Sequence, residues 1–362
     1  IIRHALMIVG SASLAEVWCN GKTRQSDPMY LGMETCVTAT WMKFLYQMLR
    51  LTGNSQYADQ LEISLYNALL AAMTPRGNWW SYYTSLMGDR VPSHMQFVDV
   101  GMSCCVANGP RGFMITPSWA IMTNGKGVVV NLYSPMHSKV TTPSGQPLEL
   151  KLQTDYPRNG KITVTVGVPR DEAFAVSLRI PEWSKKNTIT VNGQPYDGLV
   201  VPGTYASIER RWTANDRIEI ALDMRARVVE APSGMPDAAI VRGPVILSFD
   251  TRQVPLQYGV TTPPMYRYKF MADEDGYIDV KLQEKSSVDN MWMTFEVPFR
   301  DEAGDPHMLP MCDFVSAGNS WERGNFFRVW IPQPFDYRHL YIYSIDWRMN
   351  YPDGSERPEI PD

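Results

Sequence analysis

The chain has 362 residues, 44% of them hydrophobic and 20% charged, with 34 Lys and Arg against 38 Asp and Glu for a formal net charge of -4. That balance excludes a disordered chain or a strongly basic nucleic-acid binder, and no run of eighteen apolar residues offers a membrane span. At about 150 residues per domain the length predicts two or three domains, each large enough to bury its own core.

The opening stretch, IIRHALMIVGSASLAEVW, has neither an initiator Met nor the three-part order of a signal peptide. A segment upstream is therefore expected, with bacterial cytoplasm or periplasm as the expected compartment. In ETCVTATWMKFLYQMLRLTGN, Trp41, Phe44, Leu45, Met48 and Leu49 recur at three- and four-residue steps before Gly53, the pattern of an amphipathic helix with a glycine stop. The next stretch repeats it through Leu61, Leu65, Ala68 and Leu69 up to Pro75, so two antiparallel helices joined by a Gly-Asn turn are predicted. RGFMITPSWAIMTNG predicts a third helix, interrupted near Pro117.

At Gly125 the apolar period changes from helical to alternating. GVVVNLYS, LELKLQTDY, KITVTVGV and FAVSLRI predict strands, with Leu148, Leu150 and Leu152 on one face and Ile162, Val164 and Val166 on another. Short strands divided by turn signals such as RNG and VNGQP favour an antiparallel sandwich over a parallel sheet. From about Arg227, WMTFEVPF, FFRVWIP and HLYIYSIDW predict a second β-rich domain. The expected organisation is α+β and multidomain: a helical region over 1–124, a sandwich over 125–225 and a further β domain over 226–362. The front helices are too few to close a ring of helix pairs, which again predicts residues upstream.

Cys19, Cys36, Cys104, Cys105 and Cys312 are an odd number of thiols, a poor fit to a disulfide framework. The adjacent pair Cys104 and Cys105 admits three readings: buried small side chains, a strained vicinal disulfide, or metal ligands. METC at 33–36 favours the third, because Glu34 and Cys36 lie two apart near a predicted helix start and both can reach one ion. Three thiolates and a carboxylate from Glu34, Cys36, Cys104 and Cys105 suit zinc, which is borderline-soft and accepts tetrahedral S and O donors. The spacing matches no standard zinc finger. Cys19 and Cys312 have no assigned partner.

METC followed after two helices by CCVANGPRG resembles the glycoside hydrolases of family 127, the β-L-arabinofuranosidase group and its relatives. GSASLAEVW, LRIPEW with ITVNGQP, GTYASIERRW, IVRGPVILS and CDFVSAGNSW extend the resemblance over essentially the whole chain. It implies helices of a partial (α/α)6 catalytic barrel, whose N-terminal half would lie in a longer parent chain, followed by antiparallel β-sandwich domains. By motif match it also implies Glu34, Cys36, Cys104 and Cys105 as zinc ligands, Cys104 as a cysteine nucleophile and Glu16 as acid/base. Such an enzyme would hydrolyse plant oligo- or polysaccharides with retention, through a covalent glycosyl intermediate.

Tyr82, or its neighbour Tyr83, would approach the nucleophile, and His94 would touch the sugar. Asn108 and Arg111 would shape the loop after the cysteine pair. Trp79 and Trp80 would stack on a sugar face or fill the core. Val106 and Ala107 stand where well-known members carry Pro-Pro, which leaves the sugar open. The alternative reading is a non-catalytic glycan-binding or structural protein in which the four ligands form a folding clip. Neither reading calls for a nucleic acid or a membrane.

Overall fold

A computed structural model describes residues 1–13, 16–18, 21–26, 32–95, 102–254, 267–340 and 360. The chain divides into two compact units. One is built from Ile1–Met42, Ile63–Phe113 and Arg225–Asp362, the other from Lys43–Glu62 and Met114–Met224. No described helix is long and apolar enough to cross a membrane.

The two predicted front helices form. α1 (Thr35–Thr52) buries Trp41, Met42, Leu45 and Leu49 along one stripe and stops at Gly53, whose φ of +64° is the left-handed cap conformation that glycine adopts without a Cβ penalty. α2 (Ser55–Ser64) follows at once and widens into a π turn at Leu65–Leu69, all five residues of which are buried.

The third helix departs from expectation in both directions. α3 (Cys104–Met114) begins at the cysteine pair and carries Asn108, Gly109 and Pro110 inside it, so Asn108 and Arg111 lie on a helix and not in a loop. Asn-Gly-Pro reads locally as a turn, but packing overrides it. A Cβ on Gly109 would fall 2.2 Å from the Trp80 ring, so a glycine there lets the helix approach the indole. After α3 comes a short α4 (Thr116–Ala120) with Pro117 in its first turn, where a missing N–H costs nothing. Ile121–Asn124, predicted as helix, is a strand. Its neighbours explain this, because it pairs residue for residue with Gly127–Val130.

The second unit holds two sheets. Six strands run in the order Met136–Thr141, Pro147–Thr154, Lys161–Gly167, Asp216–Ala221, Thr188–Val191 and Gln194–Pro195. Leu148, Leu150 and Leu152 are buried, with Leu150 opposite Val166 and Leu152 opposite Val164, as the period-two pattern predicts. The other sheet runs Thr204–Trp212, Glu172–Ile180, Gly127–Val130 and Ile121–Asn124, and its Gly127–Val130 and Glu172–Ile180 pair is parallel.

Within this unit a charge sits at full burial. Arg179 bonds Asp59 and donates to Glu62 at 2.6 Å and to the Asn131 carbonyl at 2.6 Å, while the Tyr156 hydroxyl donates to Glu62 at 2.7 Å. Burial holds the Glu62 carboxyl above its ordinary range, against the pull of Arg179. Arg179→Met would strand two buried carboxylates without their cation. It is expected to cost about 3–5 kcal/mol of unfolding free energy, read from denaturant melts.

The first unit gathers its β-rich part into a sheet of eleven strands among the described residues. Phe249 stacks on Phe335 at 4.4 Å, with Phe295, Phe299 and Tyr337 closing one core cluster. Met7, Val9, Met33, Ala68, Phe314, Phe327 and Trp330 belong to a second. WMTFEVPF forms the strand Thr294–Arg300, while FFRVWIP forms two short ones, Phe327–Arg328 and Ile331–Pro332. Most of HLYIYSIDW, residues 339–347, lies outside the described residues, as does Cys19.

Candidate functional site

Two helix starts bring the predicted donors together. Glu34 stands immediately before α1 and Cys36 is that helix's second residue, while Cys104 and Cys105 are the first two residues of α3. Helix N-termini carry free N–H groups and the positive end of the macrodipole, so both ends favour thiolate and carboxylate charge. The ligand atoms of all four residues lie within 4.8 Å of one another.

The start of α1 is held by long-range bonds. Met33, at φ +64°, donates its N–H to the Ser13 carbonyl at 3.3 Å, and the Glu34 N–H donates to Ser13 Oγ at 3.2 Å. Thr35 N–H reaches the Tyr82 carbonyl at 2.9 Å, and Glu34 bridges to Tyr83 in antiparallel fashion. A left-handed backbone at a bulky Met is strained, and these contacts over-determine it.

Sulfur–sulfur separations are 3.6 Å for Cys36 and Cys105 and 3.9 Å for Cys104 and Cys105, and none of the three is in a disulfide. A vicinal disulfide is thereby excluded, since bonded sulfurs stand about 2.05 Å apart. Glu34 Oε1 lies 3.9 Å from Cys104 Sγ and 3.7 Å from Cys105 Sγ. Four donors set tetrahedrally about 2.3 Å from one ion stand about 3.8 Å from each other, so the measured edges fit a four-coordinate metal.

Protonation follows from burial and from the shared sulfurs. Hydrogen bonding from the Cys105 thiol pulls Cys36 down to about 6, aided by Cys104, Glu34 and Asn108. Cys105 is held above the ordinary thiol range, chiefly by that same bond and then by burial. Burial pushes Cys104 up to about 11 and Glu34 up to about 8. Metal binding must displace the protons left on these donors. Near pH 7 those are on Glu34, Cys104 and Cys105, so uptake of one divalent ion is expected to release about three protons and affinity to rise about a thousandfold per pH unit. Above about 8, where Glu34 is already ionised, the slope should drop to about two protons. Titration in weak buffer with a pH indicator checks both slopes.

Beside the donors, Tyr82 bonds the Glu16 carboxylate through its hydroxyl and stacks on the His94 ring at 5.7 Å. Burial and then the Glu16 bond hold the Tyr82 proton well above the usual phenol range, and burial pushes Tyr83 up to about 12. Glu16, at φ +69°, and His94 are exposed, whereas Glu34 and Cys105 are buried and Cys104 is half-buried. Tyr82 therefore joins the site through Glu16, with its carbonyl 3.8 Å from Cys105 Sγ.

Trp79 and Trp80 are 8% and 2% exposed, Trp79 Nε1 donating to the Ser93 carbonyl, so both are core and closed to a sugar. Cys312 is buried in the β core, away from the four-donor set. Asn108 is the residue whose role the sequence understated. Its Nδ2 donates to Cys36 Sγ at 3.3 Å and to the Cys104 carbonyl at 3.0 Å, and Arg111 donates to its Oδ1. Its position four residues after Cys104 identifies it once the cysteine pair is read as a helix start.

Residues 1–117 match the sequence profile described as "Beta-L-arabinofuranosidase, GH127 catalytic domain", and residues 127–224 match that of the "GH127 middle domain". A non-reducing end β-L-arabinofuranosidase of Bifidobacterium longum subsp. longum is 27% identical over 345 residues, 86% of this chain and 50% of the relative. The chain thus spans about half the length of that curated relative. Among solved structures, a GH127 β-L-arabinofuranosidase from Geobacillus stearothermophilus T6 superposes with a TM-score of 0.75 at 17% identity, over 91% of this chain and 54% of the other. A second GH127 β-arabinofuranosidase gives 0.73 at 21% identity over the same shares. At these identities the superpositions speak for the fold.

Proposed function

Because this chain is a glycoside hydrolase family 127-like protein, we propose that it contributes the donor cluster and acid/base of a zinc-dependent retaining glycosidase, a β-L-arabinofuranosidase acting on plant glycans. α1 and α2 would then be helices of an (α/α)6 barrel. One observation carries the reading. A carboxylate held by a tyrosine, Glu16 with Tyr82, adjoins a four-donor set in which the first of two adjacent thiols is half-buried and the second fully buried.

Zinc, when bound by Glu34, Cys36, Cys104 and Cys105, supplies its cysteine ligands in thiolate form. Cys36 and Cys104 are both half-buried, but Cys36 Sγ accepts from Asn108 Nδ2, so Cys104 takes the nucleophile's part. Its lone pair attacks the anomeric carbon as the glycosidic C–O bond breaks and Glu16 gives its proton to the leaving oxygen. Glu16 then takes a proton from water, which displaces the sulfur and returns the sugar with its starting configuration. Tyr82 orients Glu16 throughout, and Asn108 steadies Cys36 and the first turn of α3.

The donor set also satisfies the description of a structural zinc clip, because four protein ligands leave no open position. One experiment separates the two. The zinc-loaded protein is given an aryl β-L-arabinofuranoside, and the first-formed sugar is followed by NMR. Release of β-arabinose before mutarotation is expected. Inverted product would overturn the retaining mechanism, and no release would leave the clip.

A further inference from the structure

We infer that Arg90, 14 residues before Cys104 and outside the four-donor set, is a positioning residue for the candidate site, acting through the hairpin of residues 80–93. The inference rests on the glycosidase reading for its catalytic consequence and on geometry alone for the anchoring. The base of the hairpin adjoins the site. Ser93 N–H donates to the Trp80 carbonyl at 2.8 Å and Ser81 bridges Pro92. Next to that base stand Tyr82, which bonds Glu16, and Ser93, whose Oγ lies 2.7 Å from Ser103 Oγ, one residue before Cys104.

The tip is inserted in the β-rich part of the same unit. Leu86 accepts from Val329 N–H at 2.9 Å, and Met87 and Gly88 pair antiparallel with Arg328 and Phe327. Arg90 closes the insertion. Its guanidinium packs on both the Phe314 and Phe327 rings, 4.8 and 4.7 Å from their centroids, and the two rings meet edge to face at 6.0 Å. It donates from Nε to the Ala317 carbonyl at 2.7 Å and from Nη2 to the Phe314 carbonyl at 2.6 Å. Gly318, at φ +68°, leaves the room: a Cβ there would meet the Phe327 ring at 2.6 Å and Arg90 Cγ at 3.1 Å.

Unlike lysine, arginine supplies a planar group that packs on two rings at once and donates in two directions. Lysine at this position keeps the charge and loses the geometry. The hairpin is thus clamped at its tip by residues 314–329 and presents Tyr82 from its base. A small displacement there reaches the bond to Glu16, and catalysis is steep in such displacements.

Arg90→Lys and Arg90→Ala test this in the intact zinc-loaded protein. Both are expected to keep their zinc and to exchange the amide hydrogens of residues 81–88 at least about tenfold faster. Turnover of the aryl arabinofuranoside should fall about tenfold in kcat, with KM within about twofold. Millimolar guanidinium should restore part of kcat in Arg90→Ala. Where Arg90→Ala does not fold, Arg90→Lys carries the test. Wild-type exchange over 81–88 overturns the anchoring, and unchanged kcat with accelerated exchange overturns the positioning role. Absence of turnover in the wild-type protein sinks the glycosidase reading instead and leaves the exchange result to decide the anchor.

Discussion

Replacing Cys104 by serine is expected to reduce turnover of an aryl β-L-arabinofuranoside by on the order of 10⁴-fold or more, while zinc content and far-UV circular dichroism stay close to wild type. A serine hydroxyl occupies nearly the same space and still offers an oxygen donor, so the two helix starts have little reason to separate. It does not ionise near neutral pH and is a poor nucleophile without a base beside it. Cys104 is half-buried, as Cys36 is, but Cys36 Sγ accepts from Asn108 Nδ2, which leaves Cys104 as the proposed nucleophile. The fully buried Cys105 supplies the control. Cys105→Ser should act first on metal retention and only through that on turnover. A Cys104→Ser protein with turnover within tenfold of wild type would remove Cys104 from the chemistry.

Stripping the metal is expected to abolish turnover and to destabilise the fold together. At free zinc a thousandfold above its dissociation constant, binding to the folded state alone contributes about 4 kcal/mol, and chelation withdraws all of it. The donors then return to a protonated set around the Cys36 thiolate, with Glu34 neutral up to about 8. Two thiols, a thiolate and a carboxylic acid hold the α1 and α3 starts together far less firmly than one shared ion does. Zinc should restore both properties and magnesium neither, because a hard oxygen-seeking ion gains little from thiolates. Melting temperature and turnover recorded on dialysed, chelated and reloaded protein check this. Metal-free protein with the melting temperature and turnover of the loaded form would reduce the cluster to four neighbouring side chains.

Local patterns account for the parts of the fold that were legible. α1 is readable because Trp41, Leu45 and Leu49 depend on neighbours three and four residues away and Gly53 ends the run by its own backbone freedom. Leu148, Leu150 and Leu152 reveal their strand by the same short-range logic. Where a distant partner decides, reading fails. The Ile121–Asn124 strand exists through its pairing with Gly127–Val130, and α3 runs through Asn108-Gly109-Pro110 because the Trp80 ring packs against Gly109. Tyr82 would be assigned to the nucleophile by its place in the sequence, yet its hydroxyl bonds Glu16, 66 residues away.

For the site the division is similar. Residue chemistry alone singles out Glu34, Cys36, Cys104 and Cys105 as candidate ligands, since thiols and a carboxylate are the groups that hold a borderline-soft ion. That they stand within 4.8 Å of each other is a tertiary fact. It depends on Ser13 holding Glu34, on Tyr82 capping α1, and on the Ser93 and Ser103 pair placing the start of α3. Side-chain type is a local property and is carried by the sequence. Closure of a 70-residue separation between Glu34 and Cys104 is a long-range contact, set only when the whole core packs.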